Sequence, residues 1–126
     1  QQDLFDEGLK VTFKPVSFPE DITITVYNRE GIEDEIRRFN EECAVQTLKE
    51  CLRNREHVKE LYGATPRITS ERLYQARRYL KARTRNAYTI VEAAKIVKSM
   101  YSETAKNQKV IKRINEIITY FQKVTP

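Results

Sequence analysis

The sequence predicts an all-α fold, a bundle of four or five helices with an extended or short β-like segment at its N-terminus. Two observations carry that prediction. Charged residues make up 33% of the 126 positions, with only three Gly and four Pro, a balance suited to a helical protein. The apolar pattern also changes period, from two over the first 27 residues to the helical 3.6 from Gly31 onward. A chain of this length builds one core. It divides into a lead-in or linker, residues 1–27, and a helical bundle domain, residues 28–126.

In the lead-in, Leu9, Val11 and Phe13 alternate with polar residues, and Ile22, Ile24 and Val26 alternate with Thr23 and Thr25. Pro15 and Pro19 break any regular element between them. Two short strands are marginal alone. They either lean on the helices or on a missing domain, or the segment is an extended linker that wraps the bundle.

The first helix is expected over about 31–53, with Ile32, Ile36, Phe39, Cys43 and Ala44 on its apolar face. Leu48, Cys51 and Leu52 continue that face. Glu33, Asp34 and Glu35 fill its first turn, where the helix dipole favours acids, and need no metal to explain them. A shorter helix holds Val58, Leu61 and Tyr62 and stops at Gly63. A basic helix follows over about 70–84, capped by Thr69 or Ser70 and terminated near Asn86. Thr89-Ile90-Val91-Glu92 matches a capping box and opens a helix carrying Ile90, Ala93, Ala94, Val97 and Tyr101. After a break or bend at Ser102-Glu103-Thr104, the last helix has a broad stripe of Val110, Ile111, Ile114, Ile117, Ile118 and Phe121. Short loops joining such helices make a bundle.

Chemistry that would make an enzyme is sparse. Gly8, Gly31 and Gly63 are the only glycines, so neither a Walker A loop nor a dinucleotide fingerprint can be written. His57 is the only histidine and reads as a surface side chain; no catalytic triad or Cys–His pair forms around it. Cys43 and Cys51, eight residues apart on one helix, would lie about 12 Å apart, beyond disulfide reach. With His57 alone they make no zinc site, and they read as small buried residues. No apolar run approaches the roughly 20 residues that span a bilayer. Few cysteines and no signal peptide point to a reducing cytoplasm. The start at Gln1 and the single Met100 are those of a piece cut from a longer protein, and the Lys, Glu, Arg, Ile and Tyr content is that of a thermophile.

What remains is charge. Residues 1–35 hold nine acids and three bases, and residues 36–126 hold nine acids and twenty bases. The densest stretch, 67–88, sets Arg67, Arg72, Arg77, Arg78, Lys81, Arg83 and Arg85 against Glu71 alone. On a helix Leu73, Ala76 and Leu80 share a buried face, while Tyr74, Arg78, Lys81 and Arg85 form an outward stripe beside Arg77. Guanidinium groups fork onto phosphates and stack on flat rings. Tyr74 and Tyr88 lie among them as stacking candidates, a pattern that favours single strands or exposed bases over a plain duplex. Arg53, Arg55, Lys59, Lys95 and Lys98 are secondary basic contacts. The same groups suit a nucleoside triphosphate such as ATP. Two alternatives stand beside this reading. One is a helix-turn-helix reading duplex DNA, with Ala93-Ala94 in its first helix and Lys106 to Arg113 in its second. The other is a protein-interaction bundle that meets an acidic partner.

A compact basic bundle behind a short, Pro-punctuated acidic lead-in resembles the C-terminal helix-bundle domain of archaeal plasmid primase-polymerases. The resemblance covers residues 28–126 and rests on layout and composition. It implies a non-catalytic domain that grips a single-stranded DNA template, together with a nucleoside triphosphate, during replication. The catalytic domain of the same polypeptide would then lie upstream of Gln1.

Overall fold

The period-two segment forms a hairpin. The computed structural model describes residues 6–62, 70–82 and 86–124, the side chains of 55–62 and Ser70 excepted. In it β1 (Leu9–Phe13) pairs antiparallel with β2 (Ile22–Val26). The register Leu9↔Val26, Val11↔Ile24, Phe13↔Ile22 puts the apolar side chains on one face. On the other, the Thr12 and Thr23 hydroxyls meet at 2.8 Å. The apolar face leans on the helices: Phe13 meets Phe39 edge-on, ring centroids 5.7 Å apart. Of the forms the sequence left open, strands braced by helices is the one observed. Gly8 enters β1 with φ +87, and a Cβ there would come within 2.5 Å of the Thr25 methyl carbon, so both backbone and space call for glycine.

Four α-helices follow among the described residues: α1 (Glu30–Tyr62), α2 (Ser70–Lys81), α3 (Ala87–Lys98) and α4 (Gln108–Val124), the last preceded by a 3₁₀ turn at Ala105–Asn107. The all-α bundle with a short β segment is therefore the fold. Three expected boundaries need correction. The helices expected at 31–53 and around Val58 are one helix, α1, because no Gly or Pro interrupts the hydrogen-bond ladder between Gly31 and Tyr62. Its apolar face drifts because its neighbours change along its length: hairpin, then α3 and α4, then α2. The basic helix ends at Lys81 rather than 84, where the Ala82 N–H is shared between the Arg78 and Tyr79 carbonyls. Asn86 starts a helix instead of ending one. Its side chain accepts from the Thr89 N–H at 2.9 Å, and the Thr89 hydroxyl faces the Asn86 N–H in return. Asn is at least as good an N-cap as Thr, so the box closes three residues upstream of its expected place. The proposed caps Thr69 and Ser70, and the stop at Gly63, lie outside the described residues and side chains.

α3 is the centre of the bundle. Ile90, Val91, Ala93, Ala94, Ile96 and Val97 are all buried, and α1, α2 and α4 pack around it. Ala93 and Ala94 let neighbouring backbones approach closely. Leu48 comes in from α1, Leu80 from α2, and Ile114, Ile117 and Phe121 from α4. Losing a large side chain from such a site costs about 2–5 kcal/mol. The segment 99–107 is tied down as well: Met100 is buried, and the Tyr101 hydroxyl donates to the Cys51 carbonyl at 2.7 Å.

A buried polar cluster fastens the loop after β1 to the helices. The Val16 N–H donates to Asn40 Oδ1 at 3.0 Å, and Asn40 Nδ2 donates to the Tyr120 hydroxyl at 2.9 Å. The Ser17 hydroxyl donates to the Arg113 carbonyl at 2.8 Å. Ser17 holds φ +60, the left-handed region that costs a non-glycine residue about 1–2 kcal/mol.

Candidate nucleic-acid interface

Tyr74, Arg78 and Lys81 of the predicted stripe, with Arg77 beside them, lie on α2, and Arg85 lies outside the described residues. Ala76 and Leu80 are buried and Leu73 half-buried, which turns the opposite face to solvent. There Tyr74, Arg77, Arg78 and Lys81 line one shallow surface cavity of about 440 Å³. Tyr74 is 63% exposed, a ring with a free face rather than a core aromatic. Among the described residues, neither Arg78 nor Lys81 has an acid within ion-pair distance.

Beside the stripe, α1 and α2 enclose a groove of about 300 Å³. Leu52 and Leu80 form its floor, and Lys49, Arg53, Arg77 and Lys81 its rim. Arg77 and Lys81 belong to both cavities, so groove and stripe are continuous. Arg53 thus joins the stripe as the sequence led us to expect. Lys49 was missed. Its signal lay in the α1 spacing: Lys49 and Arg53 are four residues apart and share a helix face. Which face that would be, and that α2 would lie along it, depended on packing.

The other candidates sort differently. Arg72 is exposed on α2. Tyr88 is 61% exposed in the first turn of α3. Lys95 and Lys98 line a separate cavity with Tyr101, Thr104, Asn115 and Ile118, between α3 and α4, and are not brought to the stripe. Arg67, Arg83 and Arg85, and the side chains of Arg55 and Lys59, lie outside what is described, and α2 stops four residues short of Arg85. The helix-turn-helix reading fits poorly. Residues 99–107 separate α3 from α4, where such a motif uses a turn of three or four residues. α4 also commits Ile111, Ile114, Ile117 and Phe121 to the core.

A second basic concavity was not anticipated at all. The loop Lys14–Ser17 and α4 enclose about 820 Å³, with Lys14, Lys109, Lys112 and Lys123 at its edges and Glu116 the one acid. Lys109, Lys112 and Lys123 lie on one helix, but Lys14 reaches them only through the hairpin.

Among the described residues no His, Cys, Asp or Glu cluster could hold a metal, and no helix is long and apolar enough to cross a membrane. Burial raises the thiol pKa values of both cysteines, assisted by Glu50 at Cys51 and by Glu42 at Cys43; the Arg113 charge partly offsets the rise at Cys51. Comparison of the chain with protein-family models, curated proteins and solved structures gave no match.

Proposed function

We propose that this domain grips single-stranded nucleic acid along the α1–α2 groove and the adjoining α2 stripe. The observation that carries the reading is the continuity of four groove cations with an exposed tyrosine and Arg78 on one surface. Lys49, Arg53, Arg77 and Lys81 would track successive phosphates, and Tyr74 would stack on a base. A duplex hides its base faces, so the exposed ring favours a single strand. In keeping with the resemblance, the role is that of an accessory domain holding a template, and a nucleoside triphosphate with it, beside a catalytic domain of a primase. A cytoplasmic setting accompanies that role.

The test is an NMR titration with a short single-stranded DNA, then the matching duplex, each with and without ATP. Shifts centred on Lys49, Arg53 and residues 74–81, larger for the single strand, are expected. The variant Arg78→Glu/Lys81→Glu should lose most of the affinity at unchanged helix content. Unaltered affinity in that variant removes this surface from consideration.

A further inference from the structure

The loop–α4 concavity differs from the α1–α2 surface in ways that point to another ligand. Its edges carry lysines and, among the described residues, no arginine lines it; Arg113 of α4 is half-buried and turned toward the Thr47 hydroxyl at 3.5 Å. Its floor is apolar, built from Pro15, Val16, Ile111 and Tyr120. The single aromatic has its hydroxyl held by Asn40 and its ring packed edge-on against Phe121, centroids 4.9 Å apart. Nothing here presents a free ring for a base or a guanidinium fork for a phosphate. Lysine ammonium groups around an apolar strip suit carboxylates that flank apolar side chains.

Shape agrees. Lys109 and Lys123 are fourteen residues apart on α4, a span of about 21 Å at the helical rise, or about four turns. An amphipathic helix of similar length lying in the concavity would set apolar side chains on the half-buried Val16 and Tyr120 and its acids against the lysines, the helix-in-groove mode of recognition. The opposite wall is preorganised. Ser17 is held at positive φ by its bond to Arg113, and Val16 is held by Asn40, so the loop needs no ordering on binding.

We infer that the concavity between residues 14–17 and α4 is a docking groove for an acidic amphipathic helix of a partner protein, separate from the nucleic-acid surface. Charge complementarity selects the partner: four lysines against Glu116 repel basic segments and attract acidic ones.

The experiment titrates the whole chain with a fluorescent 16-residue peptide whose leucines fall at helical spacing and whose other positions are glutamate and alanine. A scrambled peptide of the same composition and a 15-nucleotide oligothymidylate serve as comparisons. Expected are NMR shifts on residues 14–17 and 109–123, at least tenfold weaker binding of the scrambled peptide, and at least tenfold loss in the variant Lys112→Glu/Lys123→Glu. Both lysines are exposed, so the variant keeps the fold, which circular dichroism checks. Arg78→Glu/Lys81→Glu should leave peptide affinity unchanged. The inference is overturned if the peptide shifts nothing in the groove at millimolar concentration, or if the scrambled peptide binds equally. It is also overturned if the oligothymidylate displaces the peptide from these residues, or if the shifts and concentration dependence report self-association instead.

Discussion

The two basic surfaces of this domain carry similar charge and opposite chemistry. The α1–α2 surface mixes arginine with lysine, exposes the Tyr74 ring, and rests on two helices whose spacing is set by Leu52 and Leu80. The loop–α4 surface has lysine at its edges, an apolar floor, and a wall made of a loop that side-chain hydrogen bonds and the packing of Val16 hold in place. The lesson is that net charge selects polyanions as a class, while the side chains around the charge select among them. A formal charge of +5 describes both surfaces and distinguishes neither.

The comparison can be broken most forcefully at Asn40. Asn40→Ala leaves the Val16 N–H and the Tyr120 hydroxyl without their partners, a loss of about 2–3 kcal/mol of stability. Thermal unfolding should record that loss, while oligonucleotide affinity stays as in the parent at temperatures where the variant is folded. A simultaneous fall in oligonucleotide affinity would mean the two surfaces are coupled. Next in size, Tyr74→Ala should weaken single-strand binding by about 1–3 kcal/mol with no change in melting temperature. If affinity is unchanged, the two surfaces do not differ in stacking. The arginine–lysine surface should also show the steeper salt dependence: each phosphate contact removed flattens the slope of log K against log salt by about 0.7 for a single strand. A titration of Arg78→Glu/Lys81→Glu between low and moderate salt measures it.

Smaller effects sharpen the picture further. Ser17→Ala removes the bond to the Arg113 carbonyl that helps hold the positive φ, a loss of about 1 kcal/mol that denaturant melts can resolve. Smallest is a pH effect from the buried thiol. The Cys51 thiol is raised above 9.0 in the folded chain, so the native state keeps a proton that the unfolded chain releases. Stability is full below the ordinary thiol value and falls as pH climbs through the raised one. Melting temperatures across that alkaline range should fall less in Cys51→Ala than in the parent.

Helix faces were legible in the sequence because they are local: Ala76 and Leu80, with the half-buried Leu73, needed only the period of 3.6 to declare their face. The outward stripe Tyr74, Arg78, Lys81 followed from the same arithmetic. Boundaries were less legible. A drifting apolar face looks like two helices when it is one helix changing neighbours, as α1 is, and of two overlapping cap patterns the one headed by Asn86 closes, with Thr89 as its third residue. The alternation of the two strand segments was readable, but whether they paired and rested on the helices was not. Least legible were the grooves. Lys49 shares a cavity with Arg77, and Lys14 with Lys112, only after residues far apart in the chain have been packed together.

The Ser17–Arg113 bond joins groups 96 residues apart, from a loop at one end of the chain to the helix at the other. Forming a contact that distant closes a long loop and costs chain entropy that local contacts do not. The groove this bond shapes exists only where the loop and α4 are both present and packed together. A partner that reads it would be reading completion, distinguishing a finished domain from a nascent or truncated one.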